Sequence, residues 1–203
     1  DLITVAGADR FLTIDLHAGQ IQGFFTIPTD ELTALRLLGD YFVEKAIPDA
    51  VVVAPDVGAT RRARDFARRL NARLAVIEKR RPLDGRGATL LNLIGDVKGK
   101  NAIIVDDEVD TATTLARGGD FLLQEGAREV YGCVTHAILS DPAVETLQAS
   151  RLKELVVTNT VTIAPRKRAR LKPRLTTLPV GDLLGEVIRR IHSGLSVGAM
   201  FDE

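Results

Sequence analysis

The residues best suited to chemistry lie between Asn101 and Thr114, which read N-A-I-I-V-D-D-E-V-D-T-A-T-T. An apolar run ends in two adjacent carboxylates, Asp106 and Asp107. Asp110, Thr111, Ala112, Thr113 and Thr114 follow, and a helix is expected over Thr111–Gln124. The start of a helix presents unpaired backbone N–H groups and the positive end of the dipole, which suits a phosphate. Threonine hydroxyls add donors, and two neighbouring carboxylates can accept hydrogen bonds from a vicinal diol. A sugar phosphate offers both faces: an anion for the turn and hydroxyls for the acids. Two other readings use the same residues. Asp110 and Thr111 alone would cap any helix, and Asp106 with Asp107 would suit a metal site of the Walker B kind. No G-x-x-x-x-G-K-[ST] motif occurs in the chain, which excludes a P-loop nucleotidase.

Other chemistry-bearing residues follow apolar runs. Lys79-Arg80-Arg81 comes after a strand and opens a polar, glycine-containing loop over Arg80–Leu90. Cations there suit a lid that closes on a developing phosphate charge, or else a solvated charge run. Pro55-Asp56-Val57-Gly58 ends another apolar strand, and Asp56 by itself is an ordinary turn residue. His17 lies just past the first strand, where a hydrogen-bonded scaffold role is the plain alternative to a ligand. His136 and Cys133 fall inside a strand pattern and are expected to be structural, the thiol buried and inert. His192 ends the last helix, where a cation favours the dipole. Arg166–Arg174 carries six basic residues in nine with no aromatic interleaved, so a solvated loop is expected there rather than a nucleic-acid patch.

The elements that must hold these groups alternate. Strands are expected at Arg10–Asp15, Ala50–Ala54, Leu74–Glu78, Asn101–Val105, Glu129–His136 and Glu154–Thr158, with a further edge strand at Leu175–Pro179. Helices are expected from a cap at Asp30 to about Ala46, and over Ala59–Leu70, Thr111–Gln124, Pro142–Gln148 and Gly181–His192. Strand, helix, strand repeated this often implies an α/β fold with a parallel sheet covered by helices on both faces. Ligands then bind at the carboxyl ends of the strands, where the residues above lie.

The 203 residues are enough for one large domain or two small ones. Lys plus Arg is 27 and Asp plus Glu is 27, so no global charge draws the chain to nucleic acid or an anionic membrane. Only one cysteine is present, which excludes an intramolecular disulfide framework and a cysteine-cluster zinc site. No apolar run reaches the ~18 residues of a membrane span. No signal peptide is visible, and a reducing cytoplasm is the expected setting. Leu2, Ile3, Val5 and Ala6 resemble the last turns of an apolar helix stopped by Gly7, so further chain upstream is expected.

The V-D-D-x-x-D-T-x-x-T stretch resembles the ribose-5-phosphate loop of the phosphoribosyltransferase superfamily. The remaining motifs narrow the resemblance to the ribose-phosphate pyrophosphokinases. They are D-L-H-A-G-Q-I-Q-G-F-F at Asp15–Phe25, A-P-D-V-G at Ala54–Gly58, K-R-R-P at Lys79–Pro82, G-D-V-K-G-K at Gly95–Lys100, T-H-A-I-L-S-D-P at Thr135–Pro142, and the tail H-S-G-L-S-V-G-A-M-F. They occur in the family's order along essentially the whole chain.

The resemblance implies a type I phosphoribosyltransferase fold, with 31–180 as one such domain, 1–30 as the end of a similar N-terminal domain, and 181–203 as a helix and tail packing back on the latter. It implies transfer of the β,γ-diphosphoryl group of ATP to the 1-hydroxyl of ribose 5-phosphate, with Mg2+ as cofactor. Lys79 and Arg81 would be catalytic. Asp106, Asp107, Asp110, Thr111, Ala112, Thr113 and Thr114 would bind ribose 5-phosphate. His17, Asp56, Val57 and Gly58 would face ATP and pyrophosphate, His17 and Asp56 also binding metal, and Ser196 would belong to an allosteric segment. A cytoplasmic homo-oligomer built from dimers into a hexamer is implied, without membrane or nucleic acid. Two departures stand out: Ala59 where a second glycine is common, and Thr113 where the family commonly has glycine. The family's N-terminal domain supplies the rest of its ATP site. A non-catalytic subunit of the same fold and a PRPP-consuming phosphoribosyltransferase are the alternatives; D-L-H-A-G-Q-I-Q-G-F-F and K-R-R-P favour the synthetase.

Overall fold

The computed structural model describes residues 1–80 and 90–200. In chain order the first elements are α1 (Leu2–Val5), β1 (Phe11–Ile14), β2 (Thr29–Leu32), α2 (Leu35–Lys45), β3 (Ala50–Ala54), α3 (Thr60–Arg69), β4 (Arg73–Arg80), β5 (Leu90–Ile94) and β6 (Asn101–Val109). Then come α4 (Thr113–Gln124), β7 (Glu129–Ala137), α5 (Ala143–Ala149), β8 (Glu154–Thr158), α6 (Pro165–Leu171), β9 (Leu175–Leu178) and α7 (Gly181–His192). Short 3₁₀ turns occupy Gly19–Phe24 and Gly198–Met200. The chain divides into two compact units, one of residues 35–178 and one joining residues 1–34 to 179–203.

The larger unit is built on a seven-stranded sheet in the order β5-β4-β3-β6-β7-β8-β9. Every neighbouring pair is parallel except β4 with β5, a hairpin in which Lys79 faces Leu91 across the ladder. The strands are buried at successive residues, as in Asn101–Val105 and Glu154–Thr158, which requires cover on both faces. On one face Val51, Val53, Ala102 and Ile104 pack with Leu115 and Leu122 of α4. On the other, Phe42 of α2 meets Phe66 of α3 edge-on at 5.9 Å and Tyr131 of β7 at 6.2 Å. The chain leaves β3 toward β4 and β5 on one side and returns to place β6 on the other. A crevice therefore opens between the carboxyl ends of β3 and β6, where ligands of open parallel sheets bind. Gly95, directly after β5, has φ +114°, and a Cβ there would stand 2.9 Å from Cβ of Ala75, so only glycine suits this exit.

The smaller unit pairs β1 with β2 in parallel and packs α7 on them. Its core joins Leu32, Val187 and Val197 with Leu12, Ile14, Leu183, Leu184 and Ile191. Asp30 does not cap a helix. It lies in β2 opposite Leu12, and its carboxylate accepts from Arg10 Nη2 at 2.6 Å, while α2 begins only at Leu35. The apolar spacing from Leu32 onward marks a helix, but Leu32 itself belongs to the sheet. The two strands β2 and β5 escape a periodicity reading because each is short and partly polar.

Four further expectations change. β6 runs on to Val109, so Asp106 and Asp107 sit within a strand rather than after it. Lys79 and Arg80 belong to β4 rather than to a loop. α4 starts at Thr113 instead of Thr111, because Ala112 takes a left-handed conformation. The basic run is no solvated loop either: its first part is α6, Lys167 donates to Leu139 O at 2.6 Å, Arg170 pairs with Glu145 at 2.8 Å, and Arg174 donates to Ser150 O at 3.0 Å.

Candidate active site

Three strand ends of the larger unit contribute. β6 carries the carboxylate pair. Asp106 Oδ1 accepts from the Asp107 amide at 3.0 Å, and Asp107 Oδ1 accepts from the Glu108 amide at 3.0 Å. Each side chain is thus folded onto the next peptide, which fixes its torsions without a helix. Asp107 is buried, at 7% exposure. Arg62, in the first turn of α3, brings Nη2 to 3.9 Å from Asp107 Oδ2. Burial pushes the Asp106 carboxyl up to about 7, and the adjoining Asp107 and the more distant Asp56 add to the rise. Two acids side by side in a shielded place do not both ionise easily unless cations or hydroxyl donors reach them.

After Val109 the chain turns through Asp110 and Thr111, both exposed, to Ala112. Ala112 has φ 63° and ψ 7° and is 4% exposed. As the residue before α4 it provides no side-chain cap, so the first amides of that helix are not closed off by its own side chain. Thr111 and Thr113 hydroxyls stand 3.2 Å apart, and Thr114 is exposed. Thr113 is helical, so its Cβ costs nothing in backbone conformation there. The residue that pays for the turn is Ala112, by about 1 kcal/mol for an alanine in this region.

Asp56 follows β3. Its Oδ1 accepts from the Ala59 amide at 3.1 Å, and Thr60 Oγ1 donates to Val57 O at 2.7 Å, closing a tight turn into α3. A Cβ on Gly58 would stand 3.2 Å from Asp56 Oδ1, so glycine lets the carboxylate fold back over the turn. Ala59 has φ −78°, an ordinary right-handed value, and needs no glycine there. Val57 is exposed. Lys79 of β4 reaches the end of the neighbouring β3, its Nζ 3.7 Å from Asp56 Oδ2. Arg81 lies outside the described residues.

The structure thus brings Lys79, Asp56, Asp106 and Asp107 to adjacent strands in the order β4-β3-β6, with the Asp110–Thr114 turn beside them. Among the described residues no group of three or more His, Cys, Asp or Glu could hold a metal ion by itself. Magnesium does not need such a cage: it keeps several waters and binds through one or two carboxylates plus substrate phosphates, so Asp56 fits that donor chemistry.

His17 belongs to the smaller unit and is exposed. Its loop is held by Glu31 of β2, whose carboxylate accepts from the Leu16 amide at 2.9 Å and from the Gln22 side-chain amide. Asp15, also in this motif, is a clasp: it accepts from Thr33 Oγ1 at 2.8 Å and the Ala34 amide at 2.9 Å. Ser196 Oγ accepts from the Ala199 amide at 3.3 Å and opens the 3₁₀ turn of the tail. His136 is in β7 with Nδ1 2.9 Å from Thr160 Oγ1, and Cys133 is fully buried in the same strand. Arg62 escapes sequence reasoning. Its one signal is position: a cation in the first turn of a helix opposes the dipole.

The chain is similar to curated proteins named ribose-phosphate pyrophosphokinase. Identity is 52% over 99% of this chain and 60% of the Nostoc sp. protein. It is 50% over 99% of this chain and 63% of the Caldanaerobacter subterraneus protein. A plant relative, the chloroplastic ribose-phosphate pyrophosphokinase 1 of Arabidopsis thaliana, is 51% identical over 99% of this chain and 50% of its own length. The chain therefore spans about half to three fifths of these relatives. The phosphoribosylpyrophosphate synthetase of Mycobacterium smegmatis superposes with a TM-score of 0.87 at 41% identity, covering 96% of this chain and 62% of that one, so the α/β fold is shared with it. A sequence model described as the phosphoribosyl synthetase-associated domain matches residues 83–202, more than half of the chain, and the chain belongs to that family.

Proposed function

We propose that this chain carries the ribose-5-phosphate side and the catalytic lysine of a ribose-phosphate diphosphokinase, which moves the β,γ-diphosphoryl group of ATP to the 1-hydroxyl of ribose 5-phosphate and releases AMP. One observation supports the reading above the others: a shielded carboxylate pair on β6 runs directly into an uncapped helix start, beside Asp56 and Lys79 on the two neighbouring strands. Asp106 and Asp107 accept the ribose hydroxyls. The amides opening α4, with the Thr111 and Thr114 hydroxyls, take the 5-phosphate. The sugar is then held with its 1-hydroxyl toward the Asp56 turn, and phosphoryl transfer needs little beyond such positioning and charge neutralisation.

Asp56 would hold Mg2+ together with substrate phosphate oxygens; the family resemblance also gives His17, in the smaller unit, a metal-binding role. The ion supplies neutralisation of charge on the transferring group. Lys79, with Nζ 3.7 Å from Asp56 Oδ2, would carry its charge to the reacting phosphate oxygens. The resemblance assigns Arg81 the same duty. A homo-oligomer and a cytoplasmic setting complete the proposal. Among the described residues no helix is long and apolar enough to cross a membrane. A regulatory, non-catalytic subunit would have no use for Lys79 and Asp56 together on adjacent strands.

The test is AMP release from ATP and ribose 5-phosphate by the intact protein, followed alongside ribose 5-phosphate binding by calorimetry. Turnover that needs both substrates supports the proposal; binding without turnover in the intact protein sinks its catalytic half.

A further inference from the structure

We infer that Arg62 is a positioning residue of the sugar-binding half of this site, holding the Asp107 carboxylate in place for the ribose hydroxyls. The inference rests on the ribose 5-phosphate reading above. The motif residues Asp106 to Thr114 do not include Arg62, which comes from a different helix.

Arg62 is the third residue of α3, directly after the Asp56 turn, in a first turn with no acidic residue. A cation there is opposed by the helix dipole, so its place needs a local reason. Its side chain is only 19% exposed, and that of Asp107 only 11%. Arginine and aspartate are rarely so covered unless paired. Nη2 of the one stands 3.9 Å from Oδ2 of the other, an ion-pair contact inside the structure rather than on its surface. At such a place the pair is screened little, and removing one partner leaves the other charge uncompensated.

The same contact explains how two neighbouring acids can share one strand. Backbone amides hold Oδ1 of each acid, and Asp106 and Asp107 also meet through their side chains. Arg62 adds a positive charge 3.9 Å from Asp107 Oδ2. A vicinal diol then meets two acceptors at a set spacing instead of a mobile pair. Because the Asp56 turn and Arg62 share the start of α3, the helix also ties the sugar acids to the diphosphate side.

The test uses calorimetry on the intact protein with two probes, ribose 5-phosphate and inorganic phosphate. Arg62→Gln should weaken ribose 5-phosphate roughly tenfold or more and inorganic phosphate less than about twofold, because removing one partner of a covered ion pair leaves Asp107 uncompensated. Arg62→Lys keeps the charge on a packing stem and should recover part of the loss. In an Asp107→Asn background, Arg62→Gln should add less than about twofold, since residues that act through one another are not additive. Unchanged ribose 5-phosphate affinity in Arg62→Gln overturns the inference. So does equal loss of both probes, or full additivity with Asp107→Asn. If the unsubstituted protein fails to bind ribose 5-phosphate, the site reading falls and the inference with it. If Asp107→Asn weakens the sugar phosphate and Arg62→Gln does not, the inference alone falls.

Discussion

At the scale of residues, the candidate site pairs opposite charges. Lys79 lies against Asp56, and Arg62 against Asp107. In the proposed reaction Lys79 acts mainly in the transition state, so Lys79→Ala should lower kcat about a hundredfold, roughly 3 kcal/mol, with ribose 5-phosphate affinity little changed. AMP release and calorimetry measure the two; a near-parental kcat would reject the role. Asp106 makes a prediction about stability. Its carboxyl is raised from 3.8 to about 7 by burial and by Asp107, so the folded chain binds a proton that the unfolded chain has lost. That contribution is fully present below pH 4 and disappears as pH rises through 7. Asp106→Asn keeps the shape without the charge. It should raise the unfolding midpoint at pH 8 and change it far less near pH 4. Thermal unfolding at the two pH values decides; an equal shift at both would remove the explanation.

At the scale of elements, the turn between β6 and α4 depends on one residue with an unusual backbone. Ala112 sits at φ 63° with its methyl buried, so two effects oppose each other on substitution. Ala112→Gly relieves the left-handed strain but frees the unfolded chain and removes the methyl, and the net change should stay within about 1 kcal/mol. Ala112→Val puts a β-branched side chain into the same region and should cost about 2 kcal/mol or more. Urea unfolding of the two variants is the measurement, and a valine variant as stable as the parent would contradict the geometry. The Thr113 and Ala59 departures lie in right-handed backbone and carry no such cost.

At the scale of the whole molecule, the amino end of the sheet is closed by a polar cluster far in sequence from the site motifs. Glu154 of β8 accepts from Tyr41 of α2 at 2.5 Å and from Thr176 of β9 at 2.6 Å, and Lys45 Nζ lies 3.0 Å from its other oxygen. Burial alone would raise this carboxyl, but the hydrogen bonds from Thr176 and Tyr41 and the ion pair with Lys45 outweigh it and hold it below the usual glutamate range. Its contribution to stability therefore has the opposite sign to that of Asp106: present above pH 4.5, lost as pH falls further. Glu154→Ala should destabilise by roughly 2–4 kcal/mol at pH 7, and by less at pH 3. Chemical unfolding at both values tests this; a pH-independent loss would make the residue a packing element only.

The strands that are apolar on both faces, Ala50–Ala54 and Glu154–Thr158, have the same bounds in the sequence reading and in the structure. So does Gly181–His192, with its helical spacing. These patterns are local, set by burial period and punctuated by turn residues. The D-D-x-x-D-T run stands out for a related reason: its carboxylates and hydroxyls lie within a few residues, so no tertiary contact is needed to bring them together. What the local pattern could not decide was where β6 ends, because a carboxylate stays in a strand only when the neighbouring strand continues its ladder, as β7 does through Ala137. Short polar strands such as β2 exist only by virtue of their partners, and so Asp30 became a strand residue instead of a cap. Arg62 is the clearest case. Sequence placed it on a basic helix, and only the packing of α3 against β6 put its charge beside Asp107, since side chains 45 positions apart meet through tertiary structure alone.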